Sequence, residues 1–188
     1  MKPLPQMPNV IDYVFTDARS EWMDIFLLGS CRCFLGSDSG PVVVPALFGR
    51  PAAVIGMIPM GHGFIVPDSL YIPKLYQSRK GGRCLIFPEI LLSELRDLWT
   101  TEQFEETDLT WVDNTRQEIS ALTSEMLDRL DGVASYTEED ERLRNAFRSL
   151  LLAKSNEKTS GAGSHIGRDF IQQHKALFEA PDSDNKIA

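Results

Sequence analysis

The fold is decided by residues 31–58, which read CRCFLGSDSGPVVVPALFGRPAAVIGMI. Short apolar runs at 31–35 and 51–58 predict two strands, because both are rich in residues that favour extended structure and both end at turn residues. Between them lie a glycine- and serine-rich turn (36–40) and an expected helix (41–48). A strand, a helix and a strand at these lengths predict a right-handed crossover between parallel strands.

Two prolines bear on the helix within this stretch. Pro41 fits its first position, because the N–H that proline lacks would have no helical partner there. Pro45 fits less well and should shorten or bend the helix.

The residues before this stretch continue the alternation. Residues 9–15 are rich in β-branched and aromatic side chains and predict a further strand. A helix capped by Ser20 should follow, with an inward stripe of Trp22, Ile25, Phe26 and Gly29. We therefore expect an α/β fold with an open parallel sheet flanked by helices.

The character of the chain changes at Pro88. Residues 1–88 have a formal charge of +2 and contain 10 of the 11 prolines, whereas residues 89–188 have a charge of −10. The second part is mainly helical in pattern; its expected helices are 88–99, one capped by Thr115 and Glu118, one capped by Thr137, and a last short one in which His174 packs in the core. The sequence predicts a single domain over 1–178 and a flexible tail over 179–188.

Composition excludes several classes of function. An acidic chain of pI about 4.9 disfavours nucleic acid as a partner. We expect no transmembrane segment and no signal peptide, because no long apolar run occurs and the first eight residues contain three prolines. Cys31, Cys33 and Cys84 are expected to be reduced thiols, and with the three histidines they form no zinc pattern.

The turn at 36–40, Gly-Ser-Asp-Ser-Gly, is the first candidate site. Glycines let a ligand approach the backbone closely, and the first amides of a following helix can bind an anion. Hydroxyls of Ser37 and Ser39 could add hydrogen bonds to a phosphate. The alternative is a tight turn whose serine caps the helix.

Three further residues are candidates at the same edge, since ligands of such sheets bind beyond the carboxyl ends of the strands. His62 lies between two glycines and could transfer a proton or contact phosphate, or be an exposed loop histidine. Asp38 could cap the helix or accept a hydrogen bond from a sugar hydroxyl, and Lys74 could reach a phosphate or remain solvated. Thr16 and Asp17 are expected at this edge as well.

The chain also resembles a known family along most of its length. The likeness is carried, in order, by NVIDY (9–13), WMDIF (22–26), CFLGSDSG (33–40), ALFGRP (46–51), YIPKL (71–75), LIFPE (85–89), NTRQEI (114–119), EMLDRLDG (125–132) and IGRDF (166–170). Together these segments resemble the carboxy-terminal, donor-binding half of GT-B type bacterial glycosyltransferases, in particular a surface-polysaccharide glycosyltransferase family. The likeness to heptosyltransferases is more distant, because those carry a histidine where this chain has Val43.

The resemblance implies a Rossmann-like domain of a metal-independent transferase that needs no cofactor. It would move a sugar from a nucleotide sugar to a polysaccharide or glycolipid acceptor, in the cytoplasm or at the inner membrane face. The implied donor-binding residues are Gly36, Ser37, Ser39, Gly40 and Lys74, with Asp38 and His62 as the local candidates for the catalytic base. The acceptor would be held by a separate amino-terminal domain or a partner chain.

A second interpretation remains open. The chain could be a non-catalytic nucleotide- or nucleotide-sugar-binding module, or an inactive remnant that lacks the acceptor domain. Only three core strands are predicted with the helical second part, so we expect a donor domain that is incomplete at its amino terminus.

Overall fold

The computed structural model describes residues 2–64, 66–154 and 163–178. A parallel four-stranded sheet of order β1-β2-β3-β6 forms its centre, and β4 pairs with β5 in a separate antiparallel ribbon. The strands are β1 (Phe34–Ser37), β2 (Ala52–Met57), β3 (Leu70–Pro73), β4 (Leu75–Ser78), β5 (Leu109–Val112) and β6 (His165–Ile166). The predicted α/β class with a parallel sheet flanked by helices is confirmed.

Seven α-helices surround the strands in the described ranges. They are α1 (Glu21–Ser30), α2 (Val43–Leu47), α3 (Phe87–Leu91), α4 (Thr101–Glu106), α5 (Arg116–Leu130), α6 (Glu138–Ala153) and α7 (Arg168–Gln173). Short 3-10 helices occur at Tyr13–Phe15, Gly40–Val42, Met60–His62, Glu94–Asp97 and Lys175–Phe178. No helix in this part of the chain is long and apolar enough to span a bilayer.

The expected strand at 9–15 is absent. Its place is taken by a turn at residues 8–9, irregular chain at 10–12 and a 3-10 helix at Tyr13–Phe15, and Val10, Ile11 and Phe15 are exposed. A β-branched run forms a strand only when a neighbouring strand can pair with it and bury its side chains, and the sheet ends at β1. Thr16 and Asp17 therefore do not follow a strand, and their predicted place at the carboxyl edge is wrong.

Helix α1 forms as predicted but packs differently. Its cap is confirmed, because the Ser20 hydroxyl accepts from the amide of Met23 at 3.2 Å. The predicted inward stripe is wrong except for Gly29, which is buried against the ring of Phe48. Trp22 is 70% exposed, and Ile25 and Phe26 are also exposed, so the apolar face of α1 is open.

In the second part of the chain, helices with local start signals are confirmed. Thr115 with Glu118 forms a capping box on α5, and Thr137 with Asp140 does so on α6. The expected helix at 88–99 is divided into α3 and a 3-10 turn, and the β4–β5 ribbon was not predicted. Residues 179–188, the predicted tail, lie outside the described residues.

One hydrophobic core joins the sheet to the helices. Its largest fully buried aromatic side chains are Tyr76, Phe87, Phe104 and Phe147. Phe87 of α3 meets Phe147 of α6 edge to face, with ring centroids 5.1 Å apart. This packing fixes α3 and α6 together beside the sheet.

His174, predicted as a packed core residue, is half-buried and also makes a polar contact. Its Nε2 lies 2.6 Å from Oε1 of the buried Glu118, and its ring packs against Phe170. Burial would raise the pKa of Glu118, but hydrogen bonds from His174 and Thr115 outweigh it and hold that pKa below its usual value. The folded state therefore binds this proton less tightly than the unfolded state does.

The protein should consequently lose stability in acid as Glu118 is protonated. A carboxyl whose pKa is lowered on folding contributes stability above its unfolded pKa of about 4.3, and that contribution falls away below it. We expect Glu118→Gln to lower the free energy of unfolding at neutral pH by about 1–3 kcal/mol and to flatten its decline in acid. Urea unfolding from neutral pH to below pH 4 measures both, with the exposed Glu138→Gln as control; equal acid slopes in wild type and Glu118→Gln would contradict this.

Candidate functional site

Three segments that follow parallel strands lie at one edge of the sheet. β1 ends at Ser37, β2 at Met57 and β3 at Pro73, so Asp38, the 3-10 helix with His62, and Lys74 follow on the same side. Asp38 and His62 are near enough for the charge of His62 to act on the Asp38 carboxyl. The structure thus brings these predicted residues to the edge where such sheets bind ligands.

The predicted glycine and serine turn is partly strand. Gly36 and Ser37 are the last two residues of β1, which runs from Phe34 to Ser37 rather than over the predicted residues 31–35. The remaining turn is Asp38-Ser39, and Ser39 precedes a 3-10 helix without a side-chain capping bond. The expected serine cap is therefore wrong. The two hydroxyls contact each other instead, Ser37 Oγ lying 3.3 Å from Ser39 Oγ.

The helix after this turn is shorter than predicted. It consists of the 3-10 turn Gly40–Val42 and then α2, with Pro45 buried inside α2. Pro41 has no N–H and the Val42 amide donates to the Ser39 carbonyl at 3.0 Å. Gly40 offers its amide, and a Cβ added to it would meet no atom within 4 Å. The turn therefore presents two hydroxyls and open space around one glycine, and less helix dipole than a full helix would.

Asp38 does not cap the helix. The residue is exposed, yet desolvation by the protein around it raises the pKa of its carboxyl, with His62 acting in the opposite direction. A raised pKa makes the carboxylate a stronger base. Asp38 and His62 are two predicted site residues whose side chains lie near each other at this edge.

His62 is not a freely swinging loop residue. It ends the 3-10 helix Met60–His62, with its Nε2 3.6 Å from Oδ1 of Asp97 and its ring edge-on to Trp99 at 5.9 Å between centroids. The side chain remains exposed, so a ligand can reach it. A carboxylate beside an imidazole can orient its ring toward a reacting group.

The 3-10 helix that carries His62 is held in place by two buried side chains, Tyr76 and Arg96. The Tyr76 hydroxyl accepts from the Met60 amide at 3.2 Å, and burial raises the pKa of Tyr76 to about 12. The buried Arg96 donates to the Gly61 carbonyl at 2.9 Å. A Cβ on Gly61 would lie 2.9 Å from the Arg96 carbonyl oxygen, so only glycine fits there. His62 is thus held on a rigid support.

The ammonium group of Lys74 already has partners within the protein. Its Nζ lies 2.6 Å from Oδ1 of Asp113 and 5.2 Å from the ring centre of Trp111, and the side chain is 24% exposed. The neighbouring Asn114 joins two strand ends, accepting from the Gly56 amide at 2.7 Å and donating to the Pro73 carbonyl at 2.9 Å. A diphosphate would have to compete with Asp113 for the ammonium group.

Sequence reasoning missed the partners of these residues. Asp97 and Trp99 follow α3, and Asp113 follows β5, so both carboxylates come from the second part of the chain. In the sequence, Asp97 and Asp113 are marked only as polar residues at the ends of apolar runs, which does not predict their contacts with His62 and Lys74. The contacts depend on tertiary packing and on the antiparallel ribbon that no periodicity predicted.

The cysteines and acidic groups form no further cluster at this edge. Cys31, Cys33 and Cys84 are unpaired and partly buried, and burial raises the pKa of Cys31 and Cys33. Over residues 2–64, 66–154 and 163–178, no group of three His, Cys, Asp or Glu side chains is placed to hold a metal ion.

Comparison with known proteins adds no relative to this description. No family model matches the chain, no curated protein matches it, and no solved structure is similar enough to count as a match. The function must therefore be argued from the edge of the sheet itself.

Proposed function

We propose that this chain is the donor-binding part of a glycosyltransferase that moves a sugar from a nucleotide sugar to a polysaccharide or glycolipid acceptor. The observation that carries the proposal is the convergence of the Ser37–Ser39 hydroxyls, Asp38 and the His62–Asp97 pair at one carboxyl edge of a parallel sheet. Ligands of open parallel sheets bind at this edge. The ordered resemblance to donor-binding domains supports the same conclusion.

The donor diphosphate would lie over the turn between β1 and α2. The hydroxyls of Ser37 and Ser39 and the Gly40 amide would donate to its oxygens, with Lys74 contributing if it exchanges Asp113 for phosphate. Preorganised donors of this kind stabilise the charge that develops on a leaving diphosphate. No step in this account requires a metal or cofactor.

Transfer forms a bond between the acceptor oxygen and the anomeric carbon and breaks the bond from that carbon to the diphosphate. The bonding electron pair leaves with the nucleoside diphosphate, and the acceptor hydroxyl proton passes to a base. His62, oriented by Asp97, is the better-placed base, and Asp38 is the other candidate.

An exposed edge supports the part of the proposal that involves a second domain or partner chain. Within the described residues β1 is the last strand of its sheet, and an apolar groove of about 580 Å³ is lined by residues of α1 together with Phe48 and Arg50. Exposed apolar surface of this extent is typical of an interaction face.

A nucleotide sugar should raise the melting temperature of the protein. At a ligand concentration of about 100 Kd the stabilisation is about 2.7 kcal/mol, and each kcal/mol raises Tm by about 2–4 °C in a chain of this size. Ser39→Ala should reduce the shift and Gly40→Val should remove it, because the valine side chain would occupy the open space above the turn. Differential scanning fluorimetry with uridine, guanosine, cytidine, adenosine and thymidine diphosphate sugars measures the shift.

Ser149→Ala is the matched control, since Ser149 is exposed on α6 and its hydroxyl bonds only to the Asn145 carbonyl. The proposal fails if no nucleotide sugar in the panel stabilises the wild type, or if Gly40→Val responds as the wild type does.

The ion pair of Lys74 with Asp113 favours a second candidate, a module that binds a nucleotide or nucleotide sugar without turnover. That pair withdraws the predicted cation from a leaving diphosphate, which lowers the stabilisation available to the transition state. Release of nucleoside diphosphate from a stabilising nucleotide sugar, with and without added glycan acceptor, distinguishes the two. Binding without release in either condition supports the second candidate.

A further inference from the structure

A small cavity lies under α6, away from the edge described above. Tyr71 of β3, His165 and Ile166 of β6, and residues of α6 line it, and its described lining includes none of the residues 36–40, His62 or Lys74. The cavity encloses about 40 Å³. A single water needs roughly 10–15 Å³ on this scale, so there is room for a few waters or one small ion.

One donor beside this cavity has no partner. Arg144 lines the cavity and is 5% exposed, and its Nε–H makes no hydrogen bond to any described residue. Its terminal nitrogens are already used, one by the buried Glu125 and the other by Glu141 at 3.6 Å. Buried donors in folded proteins almost always have an acceptor, so Nε needs one that the described side chains do not supply.

Positive charge is concentrated at the same place. Arg148 also lines the cavity, and no ion pair of Arg148 or Arg129 occurs within the described part of the chain. After desolvation, the charges of Arg129, Arg144 and Arg148 are what lower the pKa of His165, and Glu141 opposes them. The described lining carries two guanidiniums and one carboxylate, so its formal charge is positive in a chain of net charge −8, which favours an anion over neutral water.

The remaining lining offers neutral donors. Tyr71 is buried, Asn145 is exposed on α6, and both line the cavity. Guanidinium, amide and phenol groups are donors that tetrahedral oxyanions bind.

We propose that this cavity is a binding site for a phosphate group, held by Arg144 Nε and Arg148. Arg144 supplies the fixed donor, because the buried Glu125 holds its guanidinium in place, and Arg148 closes the site from the exposed side. The free ion and the terminal group of a small phosphate ester offer the same oxygens to these donors, and the experiment below distinguishes these two sources. This site is independent of the proposed nucleotide-sugar site.

Two substitutions with opposite expected effects on phosphate binding test the site, and both leave the buried residues Glu125 and Arg144 unchanged. Arg148 and Glu141 are exposed on α6, so Arg148→Gln and Glu141→Gln should fold. Loss of a charged hydrogen bond should weaken inorganic phosphate binding in Arg148→Gln by roughly tenfold to a hundredfold. Removing the opposing carboxylate should strengthen it in Glu141→Gln.

The measurement is isothermal titration of inorganic phosphate and of glycerol phosphate into the full chain, at constant ionic strength set with chloride. Saturable binding that falls in Arg148→Gln and rises in Glu141→Gln supports the proposal; the tighter of the two ligands identifies the source of the group. Gly40→Val should bind phosphate as the wild type does, which separates this result from the nucleotide-sugar test. If titration of phosphate gives no more heat than titration of chloride, or if both variants bind phosphate with the wild-type affinity, the proposed phosphate site is wrong. The cavity would then hold water only.

Discussion

Glu125→Gln is expected to lower the free energy of unfolding by about 3–5 kcal/mol. Glu125 is 2% exposed and is bonded to Arg144, to the Tyr136 hydroxyl at 3.1 Å and to the Arg168 amide at 2.7 Å. The guanidinium of Arg144 stacks on the Tyr136 ring at 4.0 Å. Because Arg144 is also buried, removing the carboxylate charge leaves a cation with too little compensation inside the protein. Urea unfolding followed by circular dichroism measures the loss.

Glu141→Gln is the control for this prediction, because Glu141 contacts the same guanidinium from an exposed position. We expect it to change stability by about 0–1 kcal/mol. The double variant Glu125→Leu/Arg144→Leu should recover much of the loss, since neither charge then remains buried. Equal losses in Glu125→Gln and Glu141→Gln would show that the buried pair has no special role.

Arg96→Met should lower the free energy of unfolding by at least about 4 kcal/mol, because it removes three hydrogen bonds from a charged donor, each of which contributes about 1.5–3 kcal/mol. The buried guanidinium donates to three carbonyls, those of Leu91 at 3.1 Å, Gly61 at 2.9 Å and Leu151 at 2.9 Å. These carbonyls belong to the end of α3, the His62 segment and α6. Methionine fills similar space without a donor, so the loss reports on the hydrogen bonds rather than on a cavity.

Arg142→Met is the matched comparison, since Arg142 is exposed on α6 and makes only a long contact to Glu139 at 3.9 Å. It should change stability by no more than about 0.5 kcal/mol. Arg96→Met should have a lower melting temperature than Arg142→Met and should be cleaved faster by protease near residue 61. If Arg96→Met also changes the free energy of unfolding by no more than about 0.5 kcal/mol, Arg96 does not stabilise the fold by connecting these three segments.

Local signals in the sequence predicted the helices best. Thr115 with Glu118, and Thr137 with Asp140, specify helix starts through bonds between residues three apart. The strand at 52–57 was also predicted, because its apolar run is closed by prolines. β6 has only two residues and no periodicity, and the strand expected at 9–15 lacks a neighbour. Strand formation depends on partners that are distant in sequence.

The same limit applies to the candidate site. Asp38, His62 and Lys74 could be placed at the carboxyl edge from strand order alone. Their contacts could not, because Asp97 and Asp113 are both more than thirty residues further along the chain. Likewise the Gly36–Ser37 pair was assigned to a turn, whereas β1 pairs with β2 over Phe34–Ser37 and includes both residues.

The open edge of β1 has a consequence for handling the protein. Within the described residues β1 pairs only with β2, and Trp22 and Phe26 of α1 are exposed. An open strand edge and exposed apolar side chains are both surfaces on which other chains can associate. Mutual repulsion at a net charge of −8 opposes such pairing, and salt screens that repulsion. Self-association should therefore increase with both protein concentration and ionic strength. We expect the protein to be monomeric in dilute solution at low salt.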